Sequence, residues 1–492
     1  MKLGRFAALE SDVPDSPVLD ADDLDESGAP VDASNTVEAA AIDAAEVEQP
    51  VIEETNEELE TLDDSAESLE AYLDFIQETK QNGGMDKNTA KAVKIGLDNA
   101  LRPLGTNSTD FLGMSQASVE SFDGPRRLGQ TVSLENAIVE ALKSVWEAIK
   151  RGVNKLVKYV RDWYLKHLEV AMRTKKRAEK IKEKASNTNG TPKEKKIKVP
   201  NLAQLHVSKA VPDASKITSD LELVTSAASS IMDSRSTEAY SNALDKICEE
   251  ADSIANAKVA TQTEYDKVLT EAKAKFDAVK MGDVSILTRQ VPGVDTRYSS
   301  YTAPGTGKSS ISPKDWVKGT AEVIGGKCVA GTVNIVTSTF AAGVNHAEDY
   351  HSGEIYRSSK RFFKLIDYSE KKVEVDVDKE GAVLKTSEVS DICNSVIKAM
   401  EVIIAYKAAY GKHEKASKDF ITKMDKVVKD AKAEDNNNDE KKRVRAIRTL
   451  AKSSSNVIKA QNDSVTSFTN YLVSVSRAAL NYCNSSLAQY KD

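Results

Sequence analysis

Aromatic residues make up only 6% of this 492-residue chain, so any core it builds relies on small aliphatic side chains rather than rings. Cysteine is scarce as well. Cys248, Cys328, Cys393 and Cys483 are far apart and form no CxxC pair, which excludes a zinc ribbon or a disulfide-dense scaffold and suits a reducing compartment. No apolar run approaches the roughly 18 residues that a transmembrane helix needs. Met1-Lys-Leu-Gly-Arg-Phe-Ala-Ala-Leu-Glu10 has no apolar h-region, so no secretory signal is expected. No repeat of solenoid period occurs. The length allows two to four domains.

Charge is abundant and unevenly placed. The net charge of -8 hides two opposed blocks. Residues 1–70 hold 22 Asp or Glu against Lys2 and Arg5 alone. Residues 1–120 together carry -21, and 121–492 carry +13. Most of the positive excess lies in 143–199, with 18 Lys or Arg against 6 acids. Such blocks favour partners of opposite sign. With Phe6 as its single aromatic, segment 1–70 has too little apolar surface to offset chain entropy, and it reads as a disordered acidic tail.

Periodicity organises the rest. Weak helical spacing runs from Ser65 to Lys80, Gly83-Gly84 breaks it, and a short helix follows at about 87–101 before Pro103. The polar stretch 105–129 reads as an exposed linker. Ser133 is a candidate N-cap. From Leu134 through Ile138, Leu142, Val145, Ile149, Val153, Leu156 and Val160 to Trp163, apolar residues recur at spacings of three and four, one amphipathic stripe. Helix is expected to continue to about Lys184, and the cluster Lys193-Glu-Lys-Lys-Ile-Lys198 precedes Pro200. Residues 214–281 read as helical with a break near 233–236. Residues 283–385 contain β-branched runs (Val284–Leu287, Val329–Thr339, Arg361–Asp367, Lys372–Val377) that read as a small antiparallel β element. Two long helices, about 388–432 and 440–490, close the chain as a hairpin, with Val396, Met400, Ile403, Phe420, Met424 and Val427 expected to face Val444, Ile447, Leu450, Ile458, Phe468, Leu472 and Val475.

The expected fold is therefore mainly α, with long amphipathic helices, an inserted β element, a C-terminal helical hairpin and a disordered acidic N-terminus. The expected segments are 1–120, acidic; 121–200, linker and basic helix; 201–282, helical; 283–386, β-containing; and 387–492, the hairpin.

Few motifs point to chemistry. Thr302-Ala-Pro-Gly-Thr-Gly-Lys-Ser309 resembles a phosphate-binding loop, but Thr302 stands where the first glycine belongs. Pro313 also falls where the following helix should begin. His346 and His351 in His346-Ala-Glu-Asp-Tyr-His351 are five apart and do not share a helix face. No ordered nucleophile, base and acid is apparent. No catalytic residue, metal ligand or cofactor is therefore expected, and the chain reads as non-enzymatic.

The basic helix has three readings: a core-facing helix with a solvated charged face, a DNA-facing surface, and a membrane-surface helix carrying Trp146 and Trp163. With no base-reading module present, DNA contacts would be to the backbone and independent of sequence. The candidates are Lys143, Lys150, Arg151, Lys155, Lys158, Arg161, Arg173, Lys175, Lys176 and Arg177. Ser118-Val119-Glu120 followed by Ser121 lies where the charge changes sign, in a linker of the kind that proteases reach. Similar small-x-Glu tripeptides occur at Ser65-Ala-Glu67, Ser68-Leu-Glu70 and Ser133-Leu-Glu135.

An acidic N-terminal segment, then Ala117-Ser-Val-Glu-Ser-Phe122, then the helix opening Ser133-Leu-Glu-Asn-Ala-Ile138 with Trp146 and many lysines, resembles the internal head proteins of large tailed bacteriophages. The ending Ala478-Ala-Leu-Asn-Tyr-Cys-Asn-Ser-Ser-Leu-Ala-Gln-Tyr-Lys491 resembles that group too. The resemblance implies a virion protein inside the capsid, made in the host cytoplasm, whose acidic propeptide a phage prohead protease removes. It would place the main cut between Glu120 and Ser121, with Glu70 and Glu67 as earlier sites. The implied partners are that protease, other head proteins and packaged DNA. A host membrane or other host target would follow if the protein is ejected with the genome. Two other classes stay open: a cytosolic or scaffold-type helical assembly protein without processing, and an ejected effector with a membrane-active helix.

Overall fold

The computed structural model describes residues 37–108, 127–198, 204–233, 322–330, 364–368, 380–430 and 438–490, together with Asp110, Phe122 and scattered helical positions in 237–252. The side chains of 37–49 and of most of 438–457 lie outside that description. Long helices dominate: α1 (Val37–Gln81), α2 (Lys87–Leu101), α3 (Arg127–Asn187), α4 (Ala214–Met232), α5 (Thr386–Asp430) and α6 (Asn438–Leu487). The expected mainly α fold with its C-terminal hairpin is the fold observed.

The chain divides into two compact units. The smaller holds 57–151 and the residues before Ala45; the larger holds 45–56 and 152–492. Both α1 and α3 run through a unit boundary.

In the smaller unit, residues 57–81 of α1 pack with α2 and the first turns of α3. The expectation of a disordered tail reaching residue 70 is corrected here, because α1 is helical from Val37 and buries Ile52, Leu59, Ala66, Leu69 and Ile76. Those residues recur at intervals of seven and three, a narrow apolar seam that a count of charges conceals. Most of the acids of α1 are off this seam, although Asp63 and Glu70 are buried with it. Residues 1–36 lie outside the described residues.

Between α1 and α2 the chain turns through Gly83 and Gly84, both at positive φ. A side chain on Gly84 would press on the α3 backbone at Leu128, so this turn accepts little but glycine. Asp86 caps α2, its carboxylate accepting from the Thr89 amide at 2.9 Å. These hydrogen bonds hold the Asp86 carboxyl below its ordinary pKa. Helix α3 opens at Arg127 rather than at Ser133. Ser133 is no N-cap, since its hydroxyl donates back to the Gly129 carbonyl at 3.1 Å within the helix.

In the larger unit, α4, α5 and α6 pack together with the second half of α3. The hairpin faces predicted from periodicity are buried: Val396, Met400, Ile403, Phe420, Met424 and Val427 on α5, and Ile458, Phe468, Leu472 and Val475 on α6. Val444, Ile447 and Leu450, placed on the same face by the sequence, have side chains outside the described residues.

Among the described residues the β structure consists of two small antiparallel pairs. Strands β2 (Lys327–Ala330) and β3 (Lys364–Asp367) pair with Cys328 opposite Ile366; β3 falls within the expected run Arg361–Asp367, whereas β2 shares only Val329 and Ala330 with the run Val329–Thr339, whose remainder lies outside the described residues. The second pair joins β1 (Lys196–Lys198) to β4 (Glu380–Ala382), with Ile197 opposite Gly381. It ties the basic cluster to a segment almost 200 residues away. The runs at 284–287 and 372–377 lie outside the described residues. Near α4, the Asp220 carboxylate accepts from Lys216 at 2.7 Å and from the Ile324 amide at 3.0 Å. Burial nevertheless raises its pKa.

Candidate functional site

Helix α3 places the basic residues, and its sequence explains how. The stripe from Leu134 to Trp163 is buried along its whole length. The helix therefore has one rotational setting, and the lysines and arginines between stripe positions must point outward.

The inward side of its second half ends in a knot of rings and histidines. Tyr164 stacks on Tyr410 with ring centroids 4.7 Å apart, and its hydroxyl donates to the Ile403 carbonyl at 2.8 Å. The Tyr406 hydroxyl lies 3.1 Å from His413 Nδ1, and the Tyr240 hydroxyl 2.9 Å from Ser417 Oγ. His167 stacks beside Trp163 and meets the Trp163 carbonyl at 3.1 Å. Desolvation pushes the pKa of His167 down to about 4 and that of His413 to about 3, so both rings are neutral at pH 7. The same burial pushes the tyrosine pKa values up. These groups are protected from solvent and brace the core.

The outward side sorts the candidate cations by what they touch. Lys143 pairs with Glu140 at 2.5 Å and Lys150 with Glu147 at 2.7 Å, both one turn away. Arg161 lies 3.8 Å from Glu414 of α5. Arg173 holds Glu169 at 2.6 Å and Lys175 holds Glu401 of α5 at 2.8 Å, a hydrogen bond that raises the lysine pKa. Arg177 donates to the Asn481 side chain on α6 at 2.7 Å. Lys175 and Arg177 are therefore engaged across to other helices of the fold, whereas Arg173 is paired along its own helix. Arg151, Lys155, Lys158 and Lys176 are exposed.

A denser cationic edge lies further along, and of its lysines only Lys176 is among the contacts expected from the sequence. Lys176, Lys180 and Lys184 follow at intervals of four and are all exposed, and so is Lys182. Beyond the helix, Lys193, Lys195, Lys196 and Lys198 are exposed as well, while Ile197 between them is buried. This edge is anchored. The Lys193 amide donates to the Gln489 carbonyl at 2.7 Å, the Val383 amide donates to the Lys195 carbonyl at 3.0 Å, and Pro192 bridges to Tyr490. Lys184 in the last turn of α3 also suits the negative end of the helix dipole. Alternation of lysine with a buried isoleucine over 195–198 was the signal available in the sequence.

The processing tripeptide Ser118-Val119-Glu120 and Ser121 lie outside the described residues, although the adjoining Phe122 is buried. The other three tripeptides lie inside helices. Ser65 and Glu70 of α1 are buried, and so are Leu134 and Glu135 of α3. The loop Thr302–Ser309 and the pair His346 and His351 also lie outside the described residues. Among the described residues no cluster of three or more His, Cys, Asp or Glu is placed to hold a metal, and no helix is long and apolar enough to cross a membrane. The four cysteines are buried free thiols; desolvation pushes the Cys248 thiol up to about 12.

With helices, seam and basic edge in place, comparison with known proteins is decisive for the class. The family of phiKZ-like phage internal head proteins matches residues 37–485. The chain belongs to this family. The match takes in α1, the basic helix and both arms of the hairpin, so acidic and basic regions alike fall within it. Membership in the phiKZ-like internal head proteins makes this a structural protein of the virion, located inside the head. No curated protein and no solved structure matches the chain.

Proposed function

We propose that this internal head protein is made with a removable acidic leader, is cut between Glu120 and Ser121 by the phage prohead protease, and then lies against packaged DNA. Contact would run along the exposed lysines of α3 and β1, through the phosphate backbone and without sequence preference, and the protein would leave the head with the genome. Other head proteins would be its neighbours during assembly.

The observation that carries the DNA reading is the anchored cationic edge from Lys176 to Lys198, whose lysines face solvent while Ala178, Ile181, Ala185 and Ile197 among them are buried. An ordered row of this kind meets phosphates with little further loss of freedom, and each contact releases condensed counterions. The cut at Glu120 is supported by elimination among the tripeptides named above. Proteases take extended substrate, and the other three are wound into helix with buried members.

The membrane-surface reading is disfavoured because the apolar stripe it needs, Trp163 included, is committed to the core. The N-terminal sequence of the protein in purified virions tests the processing. Ser121 is expected, and an intact Met1 would refute it.

A further inference from the structure

Residues 57–104 of the proposed leader fold against the first turns of α3, and this has a consequence for the cut. Within the smaller unit, residues 57–104 lie on one side of the proposed scissile bond and residues 127–151 on the other, yet they share one set of contacts. Glu135 of α3, nearly buried, takes Lys80 at 2.8 Å and the Gln77 amide at 3.3 Å, both from the last turns of α1. The Met85 amide donates to Thr131 Oγ1 at 2.9 Å, and Arg127 Nε donates to the Gly84 carbonyl at 2.6 Å. Leu69, Ile76 and Met85 on the leader side and Ile138 and Val145 on the body side are 0 or 1% exposed. None of these contacts depends on an intact backbone between 105 and 126.

We infer, resting on the processing reading above, that cleavage between Glu120 and Ser121 nicks the protein without freeing the leader, which stays seated on the first turns of α3. Removal of the charge then needs a second event, the opening of this interface. Opening also sets the order of further cuts, because Ser65-Ala-Glu67 and Ser68-Leu-Glu70 sit in α1 with Ser65 and Glu70 buried. Cutting after Glu67 or Glu70 follows leader release and does not precede it. The binding is chiefly apolar, so it outlasts the general attraction between a piece of charge -21 and one of +13.

The test uses the full chain with the recognition sequence of an unrelated site-specific protease, flanked by Gly/Ser residues, inserted between Gln116 and Ala117. Complete cutting is verified on a denaturing gel. The nicked protein is then run by size exclusion at micromolar concentration in 0.15 M and in 1 M NaCl. Co-elution of leader and body at both salts is expected. A separate leader peak at 0.15 M overturns the inference. Separation only at 1 M overturns it equally, since charge alone would then be the glue.

Two variants locate the interface. Ile76→Asp should shed its leader after nicking. Lys80→Ala, which leaves Glu135 without that cation, should lose it roughly tenfold more readily on dilution. If both nicked variants co-elute like the parent, the leader is held elsewhere and the assignment to this face fails. Failure of the processing reading shows separately, as virion protein that begins at Met1 while the nicked chain still co-elutes.

Discussion

Helices α1 and α3 make an instructive pair. Both are long, both run through the boundary between the two compact units, and they carry opposite charge. Judged by composition, α1 belongs to an unstructured acidic tail and α3 to the folded body. Each nevertheless buries a regular apolar line: Ile52, Leu59, Ala66, Leu69 and Ile76 in one, Leu134 through Trp163 in the other. The difference lies in width. The seam of α1 is narrow and built partly of alanine, whereas α3 adds a broader stripe with Trp163 and Tyr164 fully buried. The spacing of aliphatic residues decides whether a charged segment folds, and the sign of the charge decides what the outer face can meet.

The largest expected effects would break or confirm this parity. Trp163→Ala should cost about 3 to 5 kcal/mol, and Leu69→Ala in α1 about 2 to 4 kcal/mol, read from denaturant midpoints. A loose acidic tail would make Leu69→Ala silent.

Acid should come next. His167 and His413 have folded pKa values near 4 and 3, below the ordinary 6.5. Their stabilising contribution is therefore complete above about pH 6.5 and is lost as pH falls from there toward 4, by up to about 1.4 kcal/mol per pH unit for each ring. His413→Phe should flatten the pH profile of stability over that window by about one such increment, while lowering stability at pH 7 through loss of the Tyr406–His413 hydrogen bond.

On the outer face, replacing Lys176, Lys180 and Lys184 together by alanine should weaken DNA binding about 10- to 100-fold. It should also lower the salt slope by roughly 2 to 3, with little change in thermal stability. An unchanged slope would remove this edge from the DNA account. The smallest effect belongs to Lys143→Ala, whose partner Glu140 is one turn away and as exposed as the lysine itself. Less than about 0.5 kcal/mol is expected in thermal melts.

The hairpin was legible in the sequence because α5 and α6 repeat their apolar spacing over many turns, and a long regular signal tolerates local noise. The inner face of α3 was legible for the same reason. Its start was not. Ser133 looks like a cap, but its hydroxyl has a carbonyl partner four residues back, a choice that residue type does not reveal. The pairing of Lys196–Lys198 with Glu380–Ala382 was beyond reach, since two three-residue strands so far apart carry no local signature. In the basic region, the number of cations was evident, but not which of them the fold occupies. Arg173, Lys175 and Arg177 look like Lys176 in sequence, yet Glu169, Glu401 and Asn481 engage the first three.

The central claim is that the cationic body works once its acidic leader has departed. It is tested most directly by measuring double-stranded DNA affinity over a salt series for the full-length chain and for leader-free 121–492 recovered from virions. The leader-free form should bind at least about tenfold more tightly at 0.1 M salt, with affinity falling steeply as salt rises. Equal affinity for the two forms, with equal salt dependence, would contradict it.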